Sequence, residues 1–276
     1  ASFGVKKVRL TGGEPLLRNN IHLLVEELKK IDEIKDISMT TNGVLLSKKK
    51  AKLLKEAGLN RLTVSLDSLD PEKFHKISGS KYSPQDVLKG VENAKDSGFE
   101  NIKINTVVKK NINETDILSM LDHFKDTGCI VRFIEFMDVG NVNLWEKSDV
   151  LTLNDIINII SEKYSVSPLE RNYKSEVAKR WSYEGGEFGI ISSISKPFCG
   201  DCSRVRLTAE GKLFTCLFAS NSHDVKKILR SSESNISISN YLMDMWSERD
   251  DRYSETRMSK NSYKLIKKAE MSYIGG

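Results

Sequence analysis

RLTVSLD, Arg61 to Asp67, is the stretch on which the fold turns. Side chains alternate between the two faces of a strand. Leu62, Val64 and Leu66 therefore share one side, and Arg61, Thr63, Ser65 and Asp67 the other. Neighbouring β-rich runs repeat the division: VKKVRLT sets Val8 and Leu10 against Lys7, Arg9 and Thr11, and NIKINTVV sets Ile102, Ile104 and Thr106 against Lys103 and Asn105. DISMTT and IVRFIEF are further strand candidates. Between the runs lie amphipathic stretches, NNIHLLVEELKKI, SKKKAKLLKEAG, SPQDVLKGVENAKDSG and NETDILSMLDHF. Asp70-Pro71 and Ser83-Pro84 place a capping side chain before an N1 proline, and Gly58, Gly98 and Gly128 stand where helices should stop. Strands separated by helices predict parallel βα units in a barrel-like or doubly wound sheet.

A parallel barrel strand is normally apolar on both faces, because helices cover one and the lumen packs the other. Here one face is polar and partly cationic. If helices cover the apolar face, the lumen is wet and lined by Lys7, Arg9, Thr40, Ser65, Lys103 and Arg132, which predicts a cavity for a large anionic ligand. An antiparallel sheet with one solvated face is the alternative, and the intervening helices argue against it.

After EFMDVGN the rhythm changes. Thr152-x-x-Asp155 opens one more helix, and short strands at AKRWSY, EFGIIS, RVRLT and GKLFTC predict a second, β-rich module, followed by helices at HDVKKILRS and NISISNYLMDMWSER. The expected division is 1–150 and 151–276. Three of the four cysteines fall in this module, Cys199 and Cys202 as C-x-x-C and Cys216 after a hairpin-like run. A structural zinc site wants four ligands; a Cys₃His site would need His223, at an unusual spacing from Cys216. Cys129 reads as a small buried hydrophobe, and Trp145, Trp181 and Trp246 as packing residues.

The 276 residues are 39% hydrophobic and 29% charged, with mean hydropathy −0.38, an ordinary globular composition. No apolar run approaches the roughly 20 residues of a membrane helix, and no secretory leader opens the sequence, so a cytoplasmic protein is expected. A cysteine cluster in that compartment suggests a metal site. The formal charge of +5 permits a polyanionic ligand and is too weak to predict nucleic-acid binding.

Two glycines after a strand let backbone groups approach a ligand closely, so RLTGGEP adds a candidate site with Glu14 as one fixed carboxylate. GGEP, TTNG at Thr40 to Gly43, VSLD at Val64 to Asp67, IEFMDVG at Ile134 to Gly140, the three-cysteine stretch and the terminal Gly275-Gly276 together resemble the MoaA family of radical S-adenosylmethionine (SAM) enzymes, GTP 3′,8-cyclases of molybdenum cofactor biosynthesis. The resemblance runs the length of the chain. It implies an incomplete (β/α) TIM-like barrel of the radical SAM type, a C-terminal cluster domain and C-terminal helices. It implies that Cys199, Cys202 and Cys216 hold a 4Fe–4S cluster whose open iron binds guanine. It assigns SAM contacts to Gly12, Gly13, Glu14, Ser65 and Met137, and GTP contacts to Arg9, Thr40, Lys103, Arg132, Arg204, Val205 and Arg206, with the tail Gly275-Gly276 reaching the active site. It further implies a second 4Fe–4S cluster with SAM, an electron donor, a downstream cyclic pyranopterin monophosphate synthase and, as an expectation, a homodimer.

The family's first cluster is held by a C-x-x-x-C-x-x-C motif that this sequence lacks. The start on ASFGVKKVRL, without Met, leads us to expect an N-terminally truncated sequence missing the first βα unit and inactive alone. Three readings stay open: the cyclase or another radical SAM enzyme with an auxiliary cluster, a zinc-stabilised nucleotide-binding protein, and a barrel enzyme using Lys103 for a Schiff base.

Overall fold

The computed structural model describes residues 1–231, 234–256 and 268–275. Five strands, β1 (Lys7–Leu10), β2 (Asp36–Thr41), β3 (Arg61–Ser65), β4 (Lys103–Val108) and β5 (Ile130–Glu135), pair in parallel in chain order. Helices α1 (Ile21–Lys29), α2 (Lys48–Glu56), α3 (Pro71–Ser78), α4 (Pro84–Asp96) and α5 (Ile117–Phe124) fall between them. The caps read in the sequence form. Ser83 and Asp86 bond reciprocally at the start of α4, and Thr152 and Asp155 do so at α6 (Leu153–Ser161). Gly58 and Gly98 take positive φ two residues past the ends of α2 and α4; Gly128 also has positive φ, but α5 stops earlier than expected, at Phe124.

Beyond β5 the sheet follows a different path from the one expected. β6 (Ser167–Leu169), β7 (Lys179–Tyr183) and β8 (Gly186–Ile191) join it in the order β5-β8-β7-β6, giving eight strands. β8 lies parallel to β5, and β7 and β6 run antiparallel. AKRWSY and EFGIIS are therefore sheet strands rather than parts of a separate module. Phe188 and Ile190 are fully buried and sit in register with Val131 and Phe133. Each such side chain removed from water contributes about 1.5–3 kcal/mol, which draws the hairpin onto the larger core.

The chain divides into two compact units. One comprises 1–136 and 146–196, the other 137–145 and 197–276. The expected boundary at 150/151 falls inside the first unit, because α6 and β6 to β8 complete its sheet and core. That core lies on the face carrying Ile37, Met39, Leu62, Val64, Ile104 and Phe133, each at most 1% exposed, with Val25, Leu54, Val87 and Met120 from the covering helices.

The second unit has an antiparallel sheet of β9 (Arg206–Leu207), β10 (Lys212–Phe214) and β11 (His223–Asp224). Four helices accompany it among the described residues, α7 (Val225–Leu229), α8 (Asn235–Ser247), α9 (Tyr253–Thr256) and α10 (Met271–Ile274). Its small apolar centre joins Leu213, Val225 and Met245, with Leu242 packed against it. Without β7 and β8 it is less β-rich than expected. Among the described residues, no helix is long and apolar enough to cross a membrane.

Candidate functional site

The polar face of the first unit's sheet is continuous. Parallel register sets Arg9, Ser38 and Arg61 in one row, Thr40, Thr63 and Lys103 in the next, and Ser65, Asn105, Arg132 and Gly189 in a third. Arg9, Thr40, Ser65, Lys103 and Arg132 thus share one face, as alternation predicts. Lys7 lies on it too, with its ammonium 3.4 Å from the centre of the Tyr173 ring.

Two charges on this face, Lys103 and Arg132, make no ion pair among the described residues. Arg61 makes a two-pronged ion pair with Asp36. Arg132, only 7% exposed, meets neutral partners instead: its Nε donates to Asn105 Oδ1 at 3.0 Å and its Nη2 to Thr63 Oγ1 at 3.3 Å. Burial, with the Arg9 and Arg61 charges, pulls the Arg132 guanidinium down to about 9. Burial likewise lowers Lys103 to about 8, helped by Arg132, Arg61 and Arg9 and opposed by Glu176. Buried cations that repel one another are costly unless an anion joins them. Thr40 Oγ1 adds a buried hydroxyl with no hydrogen-bond partner. Gly189, which sequence reading passed over, makes room here: a Cβ there would stand 3.3 Å from Arg132 Cγ and 3.2 Å from Ala178 Cβ.

The ends of β1, β2 and β3 form a second cluster. Gly12 has φ +127°, a conformation that side chains other than hydrogen resist, and no atom lies within 4 Å of the space its Cβ would fill. Gly13 is exposed, and its neighbour Glu14 is fully engaged within the protein. The Glu14 carboxylate accepts from Leu16 N at 2.9 Å, Thr41 Oγ1 at 2.7 Å and Asn42 N at 2.8 Å. Glu14 therefore ties the GGEP turn to TTNG. The Ser65 hydroxyl has no hydrogen-bond partner among the described residues. Asp67 accepts from Val107 N at 2.8 Å, and burial pushes its carboxyl up to about 6.

Sequence reading also passed over Glu135. Its buried carboxylate accepts from Leu153 N, Ile194 N and Ser195 N, each at 2.8 Å, and from the Ser195 hydroxyl. It pins the end of β5 to the start of α6 and to the segment after β8.

In the second unit the cysteines are free thiols, each half-buried. Cys199 and Cys202 are joined by a tight turn in which Cys202 N donates to Cys199 O at 3.1 Å. Burial pushes the Cys202 thiol up, but the Arg204 and Arg249 charges and their hydrogen bonds outweigh it, and the thiol titrates below its ordinary range. Burial raises the Cys216 thiol, although Phe218 N donates to its sulfur. Among the described residues, no group of three His, Cys, Asp or Glu side chains is arranged to hold a metal ion. The donor set nevertheless suits a thiolate-bound cluster, being soft, free and flanked by cations. His223 instead meets Tyr241 OH at 3.2 Å.

Arg206 Nε donates to Gly275 O at 3.1 Å, and burial with the Arg204 charge lowers its guanidinium to about 10. Arg204 lies over Phe198, and Val205 is exposed. Met137 carries its own loop, accepting from Asn143 Nδ2 at 2.8 Å. Gly276 lies outside the described residues. Arg249, unforeseen in the sequence, donates to Cys202 O at 2.7 Å and pairs with Asp251. Cys129 is a free thiol packed against the core, half-buried where a fully buried residue was expected. Trp181 packs on the same core, whereas Trp246 is 40% exposed under the Arg249 guanidinium.

Comparison with known proteins agrees with this architecture. Residues 1–124 match the Radical SAM superfamily, and residues 129–255 match Molybdenum Cofactor Synthesis C. A crystal structure of Streptococcus suis SuiB superposes with TM-score 0.55 at 14% identity, over 92% of this chain and 57% of that one, a likeness of fold alone. The first unit is thus a partial barrel of the radical SAM class. All of this chain aligns with 80% of a GTP 3′,8-cyclase of Xanthomonas campestris pv. campestris (strain B100) at 46% identity. It likewise aligns with 82% of a GTP 3′,8-cyclase of Staphylococcus haemolyticus (strain JCSC1435) at 43%. The chain belongs to the GTP 3′,8-cyclase family.

Proposed function

We propose that this protein converts GTP to 3′,8-cyclo-7,8-dihydroguanosine triphosphate, the first step of molybdenum cofactor biosynthesis, as a radical SAM lyase. The observation that carries the reading is the pair of largely buried cations, Lys103 and Arg132, on the polar face of the barrel without an ion-pair partner among the described residues, in a chain whose relatives are GTP 3′,8-cyclases.

Arg9, Lys103 and Arg132 neutralise the triphosphate in this reading, and Thr40 supplies its orphaned hydroxyl. Their work is positioning and charge complementarity. Gly12, Gly13, Ser65 and Met137 contact SAM, and Glu14 holds the GGEP turn in place for it. A 4Fe–4S cluster with SAM supplies the radical chemistry of the superfamily when bound; its C-x-x-x-C-x-x-C ligands are not among these 276 residues. Cys199, Cys202 and Cys216 would hold a second 4Fe–4S cluster. Arg204, Val205 and Arg206 belong to the GTP site beside it, with Gly275 and Gly276 approaching as the tail. An electron donor, a cyclic pyranopterin monophosphate synthase that consumes the product, a homodimer and a cytoplasmic location complete the proposal.

The test is iron and sulfide content after anaerobic reconstitution, with a Cys216→Ala control. Loss of about four irons with matching sulfide in the variant supports the second cluster. One zinc without sulfide would make the thiols structural and remove the cluster from the reading.

A further inference from the structure

We infer that Asp138 and Lys268 form a latch that sets the position of the C-terminal segment, and through it of Arg206 in the nucleotide site. The ligand in this inference rests on the GTP reading above; the latch itself is read from the second unit alone.

Residues 268–275 have little structure of their own, since α10 is a four-residue helix, and so short a helix does not hold itself. Side chains hold it at both ends. Lys268 is only 8% exposed, and its Nζ donates to Asp138 O at 2.7 Å and Asp138 Oδ2 at 2.9 Å. Tyr253 OH donates to the same Oδ2 at 2.5 Å. The ammonium also lies 4.7 Å from the centre of the Tyr253 ring, which stacks on Phe218 at 4.6 Å.

The backbone is stitched to the same loop. Lys268 N donates to Asn141 Oδ1 at 3.0 Å, Asn141 Nδ2 returns a bond to Lys268 O at 2.6 Å, and Asn141 N donates to Glu270 Oε1 at 2.9 Å. Further on, Tyr273 OH donates to Glu210 Oε2 at 2.6 Å, and Gly275 O accepts from Arg206.

A buried ammonium is tolerated only with its partner in place. Sliding the segment by one residue would bury Lys268 unpaired, so the pair fixes the register in which Gly275 meets Arg206. That contact orients the guanidinium and leaves its other N–H donors for a ligand. Met137 immediately precedes Asp138, so a proposed SAM contact and the latch share one loop. Asp138 and Lys268 are positioning residues.

The experiment compares the full-length protein with its Lys268→Met and Asp138→Asn variants. The amides of Ala269 and Gly275 bond Ala219 O and Met271 O, and their hydrogen exchange should quicken at least about tenfold in both variants, with β4 and β5 unchanged. GTP affinity should fall about tenfold. Lys268→Arg should restore most of both, and Lys268→Met added to Arg206→Ala should cost no further affinity, because the latch acts on the ligand only through Arg206. Unchanged exchange at Ala269 and Gly275, or fully additive affinity losses, would overturn the latch. If Lys268→Met does not fold, Asp138→Asn carries the same expectation, whereas Asn141→Ala removes only the side-chain stitches to Lys268 and Glu270 and should perturb exchange less. If the wild-type protein binds no GTP, the nucleotide reading fails, and exchange alone decides the latch.

Discussion

Replacing Lys103 by Met should weaken anion binding and strengthen the empty fold at the same time. Burial and three neighbouring arginines hold the Lys103 ammonium at about 8 instead of its ordinary 10.5. Each unit of such a difference corresponds to about 1.4 kcal/mol. The side chain is partly solvated, however, and screening reduces the figure to about 1–2 kcal/mol. Below pH 8 both folded and unfolded chains carry the charge, so the folded state bears the whole penalty. Between 8 and 10.5 the unfolded chain holds more protons and stability rises with pH; above 10.5 the difference is gone. Lys103→Met should therefore melt higher at pH 7, by roughly 2–4 °C for a chain of this size, and lose the advantage above pH 10.5. The same change removes a charge-assisted contact worth about 1.5–3 kcal/mol, so affinity for GTP and for inorganic tripolyphosphate should drop roughly 10- to 150-fold. Thermal melts across pH and titration calorimetry read both effects. A variant that is less stable at pH 7, or that binds tripolyphosphate as tightly as the wild type, would refute the reasoning.

Three other perturbations follow from particular contacts. Glu135→Leu strands the N–H groups of Leu153, Ile194 and Ser195 and should cost about 3–5 kcal/mol in urea denaturation, with Glu135→Gln costing clearly less. Gly90→Ala sets a Cβ 2.1 Å from Gly43 O on the TTNG loop, and overpacking of backbone against backbone should cost about 1–3 kcal/mol, seen as a lowered urea midpoint. Arg249→Met removes a charge that helps keep the Cys202 thiol low; alkylation of Cys202 in cluster-free protein should slow at neutral pH, because the thiolate is the reactive form.

Much of the barrel was legible in the sequence. Strand alternation and helix spacing both depend on near neighbours, so RLTVSLD, Ser83-Pro84 and Thr152-x-x-Asp155 each declared their own geometry. The polar face emerged from the same alternation: Arg9, Thr40, Ser65, Lys103 and Arg132 do lie on one side. Pairing across long separations was not legible. EFGIIS looks like any hairpin strand, and only tertiary packing joins it to β5. The same limit hid Glu135, whose donors are 18 to 60 residues away, and Arg249, which is 47 residues from Cys202. Lys268 drew no reading from the sequence, since nothing local reveals that its ammonium is buried on Asp138.

The most direct test of the account is product analysis of the full-length, anaerobically reconstituted protein given GTP, SAM and a strong reductant. The account predicts 3′,8-cyclo-7,8-dihydroguanosine triphosphate with matching 5′-deoxyadenosine, both sharply reduced by Lys103→Met or Arg206→Ala at subsaturating GTP. SAM cleavage without a cyclised nucleotide, under conditions where GTP is bound, would contradict it.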